Sequence, residues 1–131
     1  MHSVKNIYPR AFTMALTFIL SVSIFWLVFG LIVAMNLHPS IPEGASLRWA
    51  MASLAFLASG ALLAFYFLLR RRTRLAYLPA LSLLGIIMVL SVLDEFGAAD
   101  LIVLILHLVP LLLLLKERRW YFDPKQVSSN L

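Results

Sequence analysis

The stretch Leu68-Leu69-Arg70-Arg71-Arg72-Thr73-Arg74-Leu75 decides the fold. Four arginines fall within five positions, between an apolar run of about 23 residues (47–69) and another of about 19 (75–93). A soluble domain has no obvious use for a dense cationic turn between two such runs. A bilayer does, because Lys and Arg are retained on the cytoplasmic side and a short basic loop anchors two helices there. The stretch therefore reads as the inner turn joining two transmembrane helices.

Composition agrees. Of 131 residues, 63% are hydrophobic and 13% are charged, against about 25% charged in ordinary soluble domains. One soluble core of this size cannot hide so much apolar surface, so lipid is expected to act as part of the solvent of a single domain. With no cysteine, disulfide frameworks, thiolate metal sites and thiol redox chemistry are excluded together. The net charge of +5 comes from residues flanking apolar spans. Anionic lipid headgroups are thus its expected partner, and nucleic acid is not.

Outward from the arginine turn, four spans are predicted, at about 11–37, 47–69, 75–93 and 99–115, with a short cytoplasmic tail over 116–131. The first follows a short polar leader holding Lys5 and Arg10. It is too long for the 7–15-residue apolar region of a secretory signal, so it is read as a retained helix. His38-Pro39-Ser40-Ile41-Pro42-Glu43-Gly44 breaks the helix, and Ser46 is the expected N-cap of the second span. The second span is rich in Ala, Ser and Gly. Small residues let helices approach closely in lipid, so this helix is expected at the centre of the bundle.

Charge counting orients the whole. Lys5, Arg10, Arg70, Arg71, Arg72, Arg74, Lys116, Arg118, Arg119 and Lys125 fall on the side of the arginine turn, and Arg48 alone falls on the other. The expected fold is an all-α integral membrane four-helix bundle. It has both termini in the cytoplasm and two antiparallel transmembrane hairpins. The expected location is the cytoplasmic membrane of a prokaryote.

Reactive groups are sparse. Counting inward from the basic residues places His107, Ser59, Ser82 and Ser21 at one level near the midplane, a candidate polar site with His107 as its titratable member. The alternative for His107 is a neutral imidazole hydrogen-bonded across a helix interface. Asp94, Glu95 and Asp100 form a candidate outer acidic site, with Asp100 also suited to cap the fourth helix. A metal site from His38, Glu43, Asp94 and Asp100 has no recognisable spacing, so no metal or other cofactor is predicted. Thr13, Thr17 and Ser21 recur at i, i+4 and i+8, a stripe that favours helix packing. Arg70, Arg71, Arg72, Arg74, Arg118 and Arg119 are candidate headgroup contacts, and Trp120-Tyr121-Phe122 reads as an interfacial anchor or a contact for a larger partner.

Small multidrug exporters need a carboxylate in the first span, and haem carriers of the b type need paired intramembrane histidines. Neither is present. The leading expectation is a non-enzymatic structural or accessory subunit, associating with itself or a larger membrane complex through small-residue faces. A small oligomeric transporter or channel using His107 is the rival, and an anionic-lipid-binding protein the third reading.

Overall fold

The computed structural model describes residues 9–37, 44–93 and 98–122. These residues form four long helices, α1 (Arg10–Ala34), α2 (Ala45–Arg70), α3 (Arg74–Leu93) and α4 (Ala98–Lys116), followed by a short α5 (Arg118–Phe122). No strand occurs among them. The first three are long and apolar enough to cross a membrane.

Neighbouring helices run in opposite directions. Ser23 of α1 meets Ser59 of α2, while Gly30, further along α1, faces Ala55 and Phe56, earlier on α2. Phe12 packs near Tyr121 and Trp26 near His107, so α4 leading into α5 runs against α1. Tyr77 meets Leu114, and Thr73 meets Tyr121, which sets α3 against α4. The helices close a ring of four, with the thinnest seam between α2 and α3. The most heavily packed helix is α1, against α2 and then α4, a correction to the expectation that α2 holds the centre. Small residues on α2 matter only where they face α1: Ala52, Ala55 and Ser59 are buried, whereas Ser53, Gly60 and Ala64 face outward.

The core is a continuous apolar cluster. It includes Phe12, Ile19 and Val22 of α1, Leu62 and Leu69 of α2, Tyr77 and Leu84 of α3, and Leu114 and Tyr121 beyond. The outside is as apolar as the inside, with Leu75 exposed by 86%, Leu57 by 69% and Leu54 by 66%. Water does not tolerate contiguous apolar surface on this scale, whereas hydrocarbon does.

Helix ends follow local chemistry. The first helix stops at Ala34, earlier than the apolar run predicts, because Asn36 takes a left-handed φ of 58°. The amides of Asn36 and Leu37 then donate to the carbonyls of Val33 and Ile32, a Schellman closure that asparagine tolerates well. The arginine turn closes identically. Arg72 has a φ of 55°, and the amides of Arg72 and Thr73 donate to Leu69 and Leu68. Arginine at that position is strained, since its Cβ crowds the following carbonyl. Arg72→Gly is therefore expected to exceed Arg72→Ala in stability by about 1 kcal/mol. Both variants lose the side chain, and only glycine relaxes the backbone. Reversible unfolding of the two in detergent measures the difference.

Two boundaries depart from expectation. The second helix begins at Ala45 with Gly44 as its N-cap, so Ser46 lies inside the helix and does not cap it. Within the stretch expected as a short tail, residues 118–122 form a helix. Their Tyr121 is buried against the chain's own core, so it is not an exposed anchor.

Candidate functional site

Three polar arrangements lie inside the bundle. The first joins α1 to α2. The Ser23 hydroxyl donates to the Ser59 carbonyl at 2.9 Å, and the Ser59 hydroxyl donates to the Ser23 carbonyl at 2.8 Å. Each hydroxyl has one proton, and both are spent on carbonyls. The 3.3 Å approach of the two oxygens is therefore a by-product of the reciprocal pair. Both side chains are buried. Bonds of this kind contribute roughly 0.6 kcal/mol, and at most about 2, to helix association in membranes.

The second joins α1 to α4, one helical turn further along α1. His107 is fully buried. Its Nδ1 lies 2.7 Å from the Val103 carbonyl and its Nε2 lies 3.1 Å from Trp26 Nε1. A carbonyl only accepts and an indole N–H only donates. The ring is therefore the neutral tautomer with the proton on Nδ1, which donates to Val103 while Nε2 accepts from Trp26. Both nitrogens are engaged. A second proton on Nε2 would set two N–H groups against each other, so proton carriage at His107 requires the Trp26 bond to break first.

The third lies at the arginine end. The Tyr77 hydroxyl donates to the Leu114 carbonyl at 2.6 Å, and the Tyr121 hydroxyl donates to the Thr73 carbonyl at 2.6 Å. The Leu114 carbonyl lies in the last turn of α4, where helical partners run out, and Tyr77 supplies one. The Thr73 carbonyl, just before α3, accepts the Ala76 amide as well as Tyr121. The Tyr77 and Tyr121 rings lie 5.0 Å apart, with Phe12 and Phe122 beside them. Burial pushes the Tyr121 phenol up to about 12, with nearby Arg72 pulling it down and Tyr77 adding to the rise. The phenol thus remains a donor across the ordinary pH range, and the bond to Thr73 is lost only in strong alkali.

The four-residue midplane layer does not assemble. Ser59 and His107 are buried on separate seams, while Ser21 and Ser82 are exposed on the outside of the bundle. The Ser21 hydroxyl donates to its own helix, to the Thr17 carbonyl at 3.0 Å. Thr13 and Thr17 face outward as well and bond back in the same way, at 3.5 and 3.0 Å. This stripe packs on no other helix among the described residues.

Asp100 is the third residue of α4, in its first turn, three positions past the place of a cap. There the helix dipole favours a negative charge. His38, Glu43, Asp94 and Glu95 lie outside the described residues. Among the described residues, no group of three or more acids and histidines comes together to hold a metal.

The headgroup candidates gather at one end. Arg70, Arg71 and Arg74 are exposed around the turn, and the Tyr121–Thr73 bond brings Arg118 and Arg119 of α5 beside them.

Trp26 escaped the sequence reading, and of the serines that the same count places at this level of α1, Ser21 was chosen over Ser23. Trp26 had a usable signal. Tryptophan favours the membrane interface, so one deep inside an apolar run marks a polar partner nearby. Ser23 had none, because Ser21 two residues away is chemically the same and faces outward. Comparison with protein-family models, with curated proteins and with solved structures finds no match to this chain.

Proposed function

We propose that the chain is a four-span membrane protein that acts as a structural or accessory subunit. On this reading α4, at 19 residues and about 28 Å, is the fourth crossing. Ten of eleven basic residues then lie on the cytoplasmic side with both termini, as in the inner membrane of a prokaryote.

One observation carries the subunit reading. Gly60 and Ala64 lie one turn apart on the exposed face of α2, and nothing approaches within 4 Å of where a Cβ on Gly60 would stand. A helical glycine costs about 1 kcal/mol relative to alanine, and no contact among the described residues uses the space. A helix from a second copy or a larger complex would use it. By contrast, the internal polar groups are spent on holding the bundle together. The engagement of both His107 nitrogens gives the transporter reading less support.

The test is the oligomeric state in mild detergent. The wild type is expected to run as a dimer or larger species, and Gly60→Ile is expected to shift it to monomer with its helix content unchanged. A monomeric wild type, or an assembly indifferent to Gly60→Ile, would remove self-association through this face.

A further inference from the structure

We infer that α1 carries a binding site for one anionic glycerophospholipid, on the face it turns away from the bundle. Arg10, Thr13, Met14, Thr17 and Phe18 line an open groove there. The first, second and fourth of these fall at i, i+3 and i+7, so they share one side of the helix. None of the arginines of the basic turn takes part.

The groove has two chemically different ends. Arg10 is exposed at its mouth, and the first turn of α1 contains no acid. Among the described residues, the only acid at this end of the bundle is Glu117, between α4 and α5, and it does not line the groove. The other end is apolar in effect, despite its threonines. Thr17 Oγ1 donates to the Thr13 carbonyl at 3.0 Å, and the Thr17 carbonyl receives Ser21 Oγ at 3.0 Å. The wall therefore offers an acyl chain no unmatched donor, and Met14 and Phe18 complete it. Thr13 differs. Its hydroxyl reaches the Pro9 carbonyl at only 3.5 Å, and that carbonyl already accepts the Thr13 amide at 3.1 Å. This hydroxyl is easily redirected to a phosphate oxygen held by Arg10.

Depth fits the ligand. In the membrane reading, on which this site rests, α1 has 25 residues and spans about 37 Å, longer than a hydrocarbon core of about 30 Å. Its first residue reaches the headgroups whichever leaflet it enters. Met14 and Phe18 then lie about 6 and 12 Å further in, beside the acyl chain. A second copy of the chain suits this face less well, since a two-fold parallel pairing would set one Arg10 against another.

Native mass spectrometry of the full chain in detergent, titrated with phosphatidylglycerol or phosphatidylcholine of equal chain length, tests the site. The wild type is expected to retain one phosphatidylglycerol with about fivefold preference, the worth of one basic residue near an anionic surface. Arg10→Gln is expected to abolish the preference. Paired substitution of Arg70 and Arg71 by Gln, outside the groove, is expected to leave it intact. The proposal is overturned if Arg10→Gln keeps the preference, if the Arg70/Arg71 pair removes it, or if the wild type shows none. Each variant is compared at an unfolding midpoint matching the wild type. A chain that stays dissolved without detergent would instead end the membrane reading itself.

Discussion

His107→Ala is expected to destabilise the bundle by about 2–3 kcal/mol, read from reversible unfolding in detergent. The substitution leaves the Trp26 N–H without its acceptor, and an orphaned buried polar group costs about 1–3 kcal/mol. It also empties the space of an imidazole that is fully enclosed and loses its packing. Trp26→Phe removes the other partner while keeping an aromatic ring. In the double-mutant cycle the two changes are expected to couple by roughly 0.6–2 kcal/mol. Strict additivity would show that the 3.1 Å contact contributes nothing. His107→Gln, whose side-chain oxygen can accept, is expected to recover part of the loss. Proton permeability of liposomes carrying wild type or His107→Ala is expected to be equal, since neither ring nitrogen is free to exchange. A proton flux that vanishes in the variant would restore the transporter reading.

Gly30→Leu is expected to cost about 3 kcal/mol, the upper end of overpacking penalties. A Cβ at Gly30 would stand 2.9 Å from Phe56 Cε1 and 3.3 Å from Ala55 Cβ. A single methyl is accommodated if the Phe56 ring turns aside and the Ala55 contact gives by a few tenths of an ångström, and Ala gains about 1 kcal/mol of helix propensity over Gly. Gly30→Ala is therefore expected to be near neutral. Leucine has no such escape, because Ala55 belongs to the facing helix itself and can yield only if α2 moves. That movement would also pull apart the Ser23–Ser59 pair, two turns along the same seam. Equal unfolding midpoints for the Ala and Leu variants would mean that α1 and α2 are not in close contact there.

Much of the architecture was legible in the residues themselves. Long apolar runs between Pro39-Ser40-Ile41-Pro42, the arginine turn and the Asp94–Asp100 segment mark helices to within a few positions. Errors at the ends have local causes. Asn36 ends α1 early by adopting a left-handed backbone, and Gly44 takes the capping place expected of Ser46. The short α5 was missed because its helical state depends on Tyr121 finding a buried berth and the Thr73 carbonyl. Both of these are contributed by distant parts of the chain.

The candidate site was far less legible. Burial of a soluble helix is announced by an apolar stripe beside a polar one, but a helix apolar on every side announces nothing about which face turns inward. Hydroxyls do not resolve the ambiguity. Thr13, Thr17 and Ser21 satisfy themselves on their own helix and face outward, while Ser23 faces α2 and exchanges bonds with Ser59.

Alone, the order of amino acids determined where the chain becomes helical and that three of its helices are long and apolar enough to cross a membrane, because charge and hydropathy are properties each residue carries wherever it goes. Only the packed bundle decided which helix is central, that His107 is tied to Trp26, and that two tyrosines close the arginine end. Those outcomes depend on the rotation of each helix about its axis, a quantity set by the fit of facing side chains and invisible in any one of them.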